Sequence, residues 1–283
     1  MIRIDEITRG RFGNRILHYN SLVQLANILG VEASCSPWEG YACFSNLIGY
    51  KESVNSEINL SWNDVLKSQD LCELNKDYDY AVGPYCLHNT FWKLTKKDPR
   101  DFIQINEKYK RNLPEDRVNV GIHLRGDDVL GADGNNGREI HFPDYYMRAI
   151  DLVENQFDNI KYYVCTDDLR FMSYISTVDY LNDRNLEYEL GSPDHFKDFS
   201  TLSECDVLIA SSSTFVVCAG FIGKKDKKII HSKDWINKNI YHTPWHLTED
   251  PEHVRNQQLC FDNFWKEMYR TKGNEFYRVW EFV

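Results

Sequence analysis

The sequence predicts an α/β protein built on a parallel sheet, and two patterns in its second half carry that prediction. Short apolar runs alternate with segments of helical periodicity from residue 118 onward, the arrangement of a parallel sheet covered by helices on both faces. Three polar segments rich in Arg, Asp, Ser and Thr each follow directly on an apolar run. Ligands of open α/β sheets bind beyond the carboxyl ends of the strands, so these segments stand where a site is expected.

The elements follow in order. Residues 118–124 (VNVGIHL) read as a buried strand. Pro143 sits where helices begin, and Tyr146, Ala149, Ile150 and Val153 form one apolar face behind it. A strand over 161–165, a short helix over 169–176, a strand over 186–190 and a helix over 200–205 come next. A strand over 207–210, a helix over 215–222 and a strand over 228–231 complete the alternation. In the first half, apolar positions from Arg15 to Leu29 recur with helical period, and Gly30 stops the run. The spacing Ser61 to Asp64 resembles a capping box that opens a second helix. Residues 35–60 read as irregular, and the polar stretch 98–117 as helical in tendency. Leu113-Pro114-Glu115-Asp116 then marks a domain boundary, giving units 1–115 and 116–283.

Composition narrows the function. The formal net charge of −10 and the lack of a basic stripe argue against a nucleic-acid binder. Any phosphate must then be gripped by a few local groups, which points to a small ligand. No apolar run is long enough for a transmembrane segment, and the charged start (MIRIDE) does not read as a signal peptide. The eight cysteines include no C-x-x-C pair, so a zinc knuckle is not expected, and reduced thiols in a cytoplasmic protein are.

His123 and Arg125 point the same way in the strand register, and Gly126 breaks the strand after them. An arginine at a strand end can make two parallel hydrogen bonds to phosphate, or pair with a neighbouring aspartate. Asp167 and Asp168 follow the next strand. A carboxylate there could accept from guanine N1–H and the exocyclic amine, or could cap the following helix. Ser211-Ser212-Ser213-Thr214 precedes a helix, where backbone amides and hydroxyls form an anion site. Gly10-x-x-Gly13-Asn14 is only loosely like a phosphate loop.

In this order the segments resemble the fucosyltransferase superfamily that includes α1,2-, α1,6- and protein O-fucosyltransferases. Gly10-Arg11-Phe12-Gly13-Asn14-Arg15 is similar to its glycine-asparagine loop. His123, Arg125 and Asp128 fit its His-x-Arg-x-x-Asp motif, and Tyr145-Tyr146 with Ala149-Ile150 resembles a helix of the α1,2 branch. Residues 163–168 resemble its second motif, and 198–215 its third.

The resemblance implies a GT-B-type fold, two Rossmann-like domains facing a cleft, with an acceptor-side domain first and a GDP-sugar-binding domain second. It implies an inverting transferase that moves L-fucose from GDP-fucose to a glycan hydroxyl, α1,2-type, with no metal or other cofactor. Arg125 and Asp128 are then the catalytic candidates. Gly10, Gly13, Asn14, His123, Arg125, Asp167, Asp168, Ser212, Ser213, Thr214 and Phe215 are the donor-binding candidates. Asp127, Asp128 and Glu139 are candidates for the general base. The alternatives are transfer from another GDP-sugar, and a catalytically silent nucleotide- or glycan-binding module on the same fold.

Overall fold

Short parallel strands organise both halves of the chain. The computed structural model describes residues 1–7, 10–53, 57–61, 65, 78–83, 94–126, 143–211, 213–232 and 279–283. The chain divides into two units, Met1–Asn106 and Glu107–Val283.

The first unit holds strands β1 (Ile2–Ile4), β2 (Ala33–Cys35), β3 (Phe44–Ser45), β4 (Glu57–Leu60), β5 (Asp79–Val82) and β6 (Gln104–Ile105). Four of them form a sheet in the order β2-β1-β5-β4 with every pairing parallel, and β3 pairs with β6 antiparallel. Helix α1 (Phe12–Leu29) connects β1 to β2, and Gly30 ends it in the left-handed region at φ 62°, as the sequence predicts. A one-turn helix α2 (Gly40–Cys43) precedes β3.

Four features differ from expectation. Helix α1 starts at Phe12 rather than Arg15, so Asn14 lies in its first turn and not in a loop before it. Its polar side is buried as well: His18, Asn20, Ser21 and Gln24 are at most 1% exposed. Gln24 is held by the 95–97 segment, donating to the Lys97 carbonyl at 2.7 Å and accepting from the Lys96 and Lys97 amides. Residues 98–117 do not form a helix. Pro99–Asp101 is a 3-10 turn whose Asp98 accepts from the Arg100 amide and guanidinium, and local pairing of that kind competes with helix extension. The 35–60 segment contains β3, β4 and α2, elements too short for periodicity to reveal.

In the second unit the strands are β7 (Val118–Leu124), β8 (Ile160–Thr166), β9 (Tyr188–Leu190), β10 (Val207–Ile209), β11 (Lys228–His231) and β12 (Val279–Phe282). The helices are α3 (Pro143–Glu154), α4 (Met172–Asp183), α5 (His195–Glu204) and α6 (Thr214–Phe221). All six strands are parallel in the order β12-β11-β10-β7-β8-β9. Read from β7, the chain fills one side of the sheet with β8 and β9, then returns to build β10, β11 and β12 on the other. This is the doubly wound order, and its switch point lies between β7 and β10. The predicted strands and helices of this half are present, with α4 and α5 longer than expected.

The unit boundary falls at Asn106/Glu107 rather than 115/116. Residues 107–115 pack with the second unit: Tyr109 meets Phe196 edge-on at 5.3 Å, and the Arg111 amide donates to Ser200 Oγ at 3.1 Å. Among the described residues no helix is long and apolar enough to cross a membrane.

The core of this unit presses β7 and β10 together beneath α5. A Cβ added at Gly121 on β7 would lie 2.7 Å from Leu202 and 2.9 Å from Leu208 side-chain carbons. Gly121→Ala should therefore lower stability despite a stiffer unfolded chain, by on the order of 1 kcal/mol or more. An unchanged or higher urea midpoint would show that the Leu202 side chain moves aside at no cost.

Candidate functional site

The switch point gathers one face of the β7 end and the turn that follows β10. His123 is 6% exposed, and its Nδ1 lies 2.6 Å from Ser211 Oγ. Its ring stacks on Phe215 at 5.3 Å, and Phe215 meets Phe199 edge-on at the same distance. Burial pushes the imidazole down to about 4; Asp167 opposes this and the Arg125 charge adds to it. His123 is therefore neutral at pH 7 and serves as a hydrogen-bonding wall. Two residues on, half-buried Arg125 donates from Nη1 to Ser213 Oγ at 3.2 Å.

Ser213 is the N-cap of α6, and the same hydroxyl oxygen accepts the Phe215 amide at 3.3 Å. Thr214 opens the helix. The sequence thus set Arg125, a helix N-terminus and two serines in separate segments, and the fold brings them together. From α3, Tyr145 donates to the Ala210 and Ile230 carbonyls at 2.8 and 3.0 Å, and Tyr146 to the His123 carbonyl at 3.4 Å. The Tyr-Tyr pair therefore satisfies the carboxyl ends of β7, β10 and β11 from beneath.

At the end of β8 the two aspartates part. Asp167 accepts the Gly126 amide at 2.7 Å and so ties the turn after β7 to β8. Gly126 must be glycine there, because a Cβ would lie 2.6 Å from Phe171 carbons. Asp168 instead accepts the Arg170 amide at 2.9 Å and its guanidinium at 3.0 Å, and those bonds hold its carboxyl below the usual range. It fixes the turn leading into α4. Asp128 and Ser212, with Asp127 and Glu139, lie outside the described residues.

Sequence reasoning assigned no role to Asp198, a 7%-exposed carboxylate on α5 beside the ends of β8 and β9. It accepts the Ser192 amide at 2.6 Å and the Cys165 thiol, and burial pushes it up to about 6. A Cβ at Gly191 would meet its Oδ2 at 2.8 Å. The available signal was an acidic residue beside Phe199 and Leu202 on the buried face of a helix.

In the first unit, Gly10 adopts φ 79°, a conformation that favours glycine, and Arg11 caps α1 through its backbone. Its side chain makes no cap hydrogen bond, and the first turn holds no acidic residue. Gly13 and Asn14 belong to the same first turn, where Phe12 is buried against Trp38 and Phe44 at ring distances of 6.1 and 5.6 Å.

No known protein family matches the sequence, and no curated protein is significantly similar to it. The fold does have relatives among solved structures. POFUT1 in complex with GDP-fucose superposes with a TM-score of 0.52 at 9% identity, covering 80% of this chain and 95% of that one. POFUT1 in complex with GDP gives 0.52 at 11% identity, covering 77% and 93%. The fucosyltransferase NodZ from Bradyrhizobium gives 0.48 at 12%, covering 78% and 93%. The fold is thus α/β with parallel sheets, shared with POFUT1, as the GT-B-type resemblance implied.

His123 and Asp198 load the pH dependence of stability in opposite senses. Neutral in the fold down to about 4 but protonated below about 6.5 when unfolded, His123 contributes stability that is lost as pH falls through that window. Asp198, protonated in the fold up to about 6, contributes stability present at low pH and lost as pH rises from about 3.8. Between pH 4 and 6 the two partly cancel. Asp198→Asn should then make acid destabilisation over that range steeper than in the wild type, read from urea midpoints at each pH. An unchanged slope would contradict the raised carboxyl.

Proposed function

We propose that this protein is a glycosyltransferase that moves fucose from GDP-fucose to a hydroxyl of a glycan acceptor. The observation that carries the reading is Arg125 held on the N-cap serine of α6 at the switch point, beside a neutral His123. A cation and a helix N-terminus together suit a diphosphate. The fold shared with POFUT1, whose structures hold GDP-fucose and GDP, supports that choice of donor.

In this reading the second unit carries the donor's nucleotide and the first serves the acceptor side. The acceptor oxygen attacks the anomeric carbon from the face opposite the diphosphate, with inversion. The bond from that carbon to the phosphate oxygen breaks, GDP departs with the electron pair, and the acceptor proton passes to a base. Asp127, Asp128 and Glu139 stay the candidates for that base, and Asp128 for orienting Arg125 or His123. Charge grows on the departing oxygens, so a donor already anchored at that spot lowers the barrier most. Arg125 takes this role, with Ser212, Ser213 and Thr214 on the phosphates and Phe215 as packing beneath. Gly10, Gly13 and Asn14 are assigned to the diphosphate or sugar. Transfer of the α1,2 type is proposed only on the resemblance of the Tyr145-Tyr146 helix to that branch.

A carboxylate can read guanine by accepting from its N1–H and exocyclic amine. The sequence offers Asp167 or Asp168, and each also holds a turn, Asp167 through the Gly126 amide and Asp168 through Arg170. Asp198 is a second reading, because a buried carboxylate binds N–H donors more strongly than an exposed one. Calorimetry should give GDP tighter binding than ADP, and the Asn variant of the true reader should erase that preference. Equal affinity of the wild type for GDP and ADP would sink the guanine reading, and ADP binding more tightly would exclude it outright.

Arg125→Ala should lower kcat by roughly 10²–10³, the cost of losing an oxyanion-hole donor. Arg125→Lys should recover little, because an ammonium lacks the two-pronged geometry. Turnover should survive excess EDTA, since Arg125 and the α6 terminus are assigned the charge that a metal would otherwise carry. Activity lost in EDTA and restored by manganese or magnesium would overturn that assignment, as near-normal turnover in Arg125→Ala would overturn the role of the arginine.

A further inference from the structure

The first turn of α1 is braced from outside the helix. Arg15 Nε donates to the Gly10 carbonyl at 3.0 Å, and its Nη1 lies 2.8 Å from Glu39 Oε1. Both side chains are between a quarter and a third exposed, at 25% and 29%. Gly10 is the residue at φ 79°, so its peptide has few neighbours in conformational space that keep the carbonyl aimed at Arg15. The wall it forms touches Asn14. A Cβ at position 10 would lie 2.5 Å from Asn14 Nδ2 and 2.8 Å from Asn14 Cβ, so the residue 10 backbone and the Asn14 side chain share one packed surface. Glu39 is fixed in turn: it precedes α2 and follows Trp38, whose ring packs against Phe12 and Tyr19 of α1.

We propose that Arg15, held by Glu39, is a positioning residue that fixes the Gly10 turn and thereby the Asn14 side chain. Its bearing on catalysis rests on the assignment of Asn14 to the GDP-sugar made above. The guanidinium suits the task because its planar fork can serve a carbonyl and a carboxylate at once, which an ammonium on a flexible stem does poorly. A partly exposed ion pair adds little to global stability, so the effect of the brace is on order at residues 10–14.

Two measurements on the full chain decide it. The first reads order by NMR relaxation at the Gly10 amide and the Asn14 side-chain amide. The wild type should be rigid at both, with order parameters near about 0.85. Arg15→Ala should fall below about 0.6, Glu39→Gln should fall between, and melting temperatures should hardly move. Unchanged order in Arg15→Ala overturns the proposal. The second is a double-variant cycle with GDP-fucose as donor. Arg15→Ala should lower kcat/KM about tenfold, Arg15→Lys should rescue little of it, and Asn14→Ala/Arg15→Ala should be no worse than Asn14→Ala alone. Losses that multiply would mean that Arg15 acts apart from Asn14, and overturn it equally. A wild type that turns over no GDP-sugar defeats the donor reading instead, and the relaxation measurement still decides the brace.

Discussion

The hydroxyl oxygen of Ser213 receives two donors, the Arg125 guanidinium from beyond β7 and the Phe215 amide inside α6. One bond fixes the tip of a strand and the other starts a helix. The atom that joins them sits where the strand order reverses, between β7 and β10. At such a point the segments leaving the two strands depart to opposite faces of the sheet, so the chain itself does not bridge the crevice. Side chains must do so. Ser211 to His123 and Ser213 to Arg125 are two such bridges, and Tyr145 and Tyr146 satisfy the strand ends below them.

In the proposed reading, that arrangement lets an acidic chain of net charge −10 offer an anion site. A broad positive field is not needed when the cation is local and its surroundings are partly desolvated. Arg125 stands beside a histidine that burial keeps neutral, so the imidazole adds hydrogen-bonding surface without a second charge to repel the guanidinium. Asp167 is turned to the Gly126 amide and Asp168 to Arg170, which spends acidic charge on turns near the site.

Much of the second unit was legible in the sequence, because its strands are short apolar runs whose ends carry polar residues of distinct kinds. Arg125, Asp167 and Ser213 each follow a strand, and parallel strands place such residues along one edge whatever the pairing order. The order itself was not legible, since it depends on contacts between segments far apart in the chain. The first unit was harder to read. Strands of three or four residues such as Ile2–Ile4 give alternation too little length to register, and Gly10–Asn14 looked like one loop although only Gly10 and the extended N-cap Arg11 precede the helix. The buried polar side of α1 was hidden for a physical reason. Asn20 and Gln24 look solvent-facing until the 95–97 segment supplies their partners. Asp198 opened the segment that resembles the third motif but received no role, because its carboxylate is satisfied by a backbone amide and a thiol that the motif does not record.

In the proposed reading, the structural and chemical roles of this loop meet in Ser213. A serine hydroxyl has two acceptor lone pairs and one proton to give. With the lone pairs taken by Arg125 and the Phe215 amide, the proton is left to be donated, in a direction away from both. A ligand oxygen placed there would receive the O–H and share the neighbourhood of the guanidinium and of the helix N-terminus. Capping α6 and anchoring Arg125 are therefore the conditions that turn Ser213 into a donor. Removing the hydroxyl would take away cap, anchor and donor together, whereas changes at Arg125 leave the cap in place and isolate the charge.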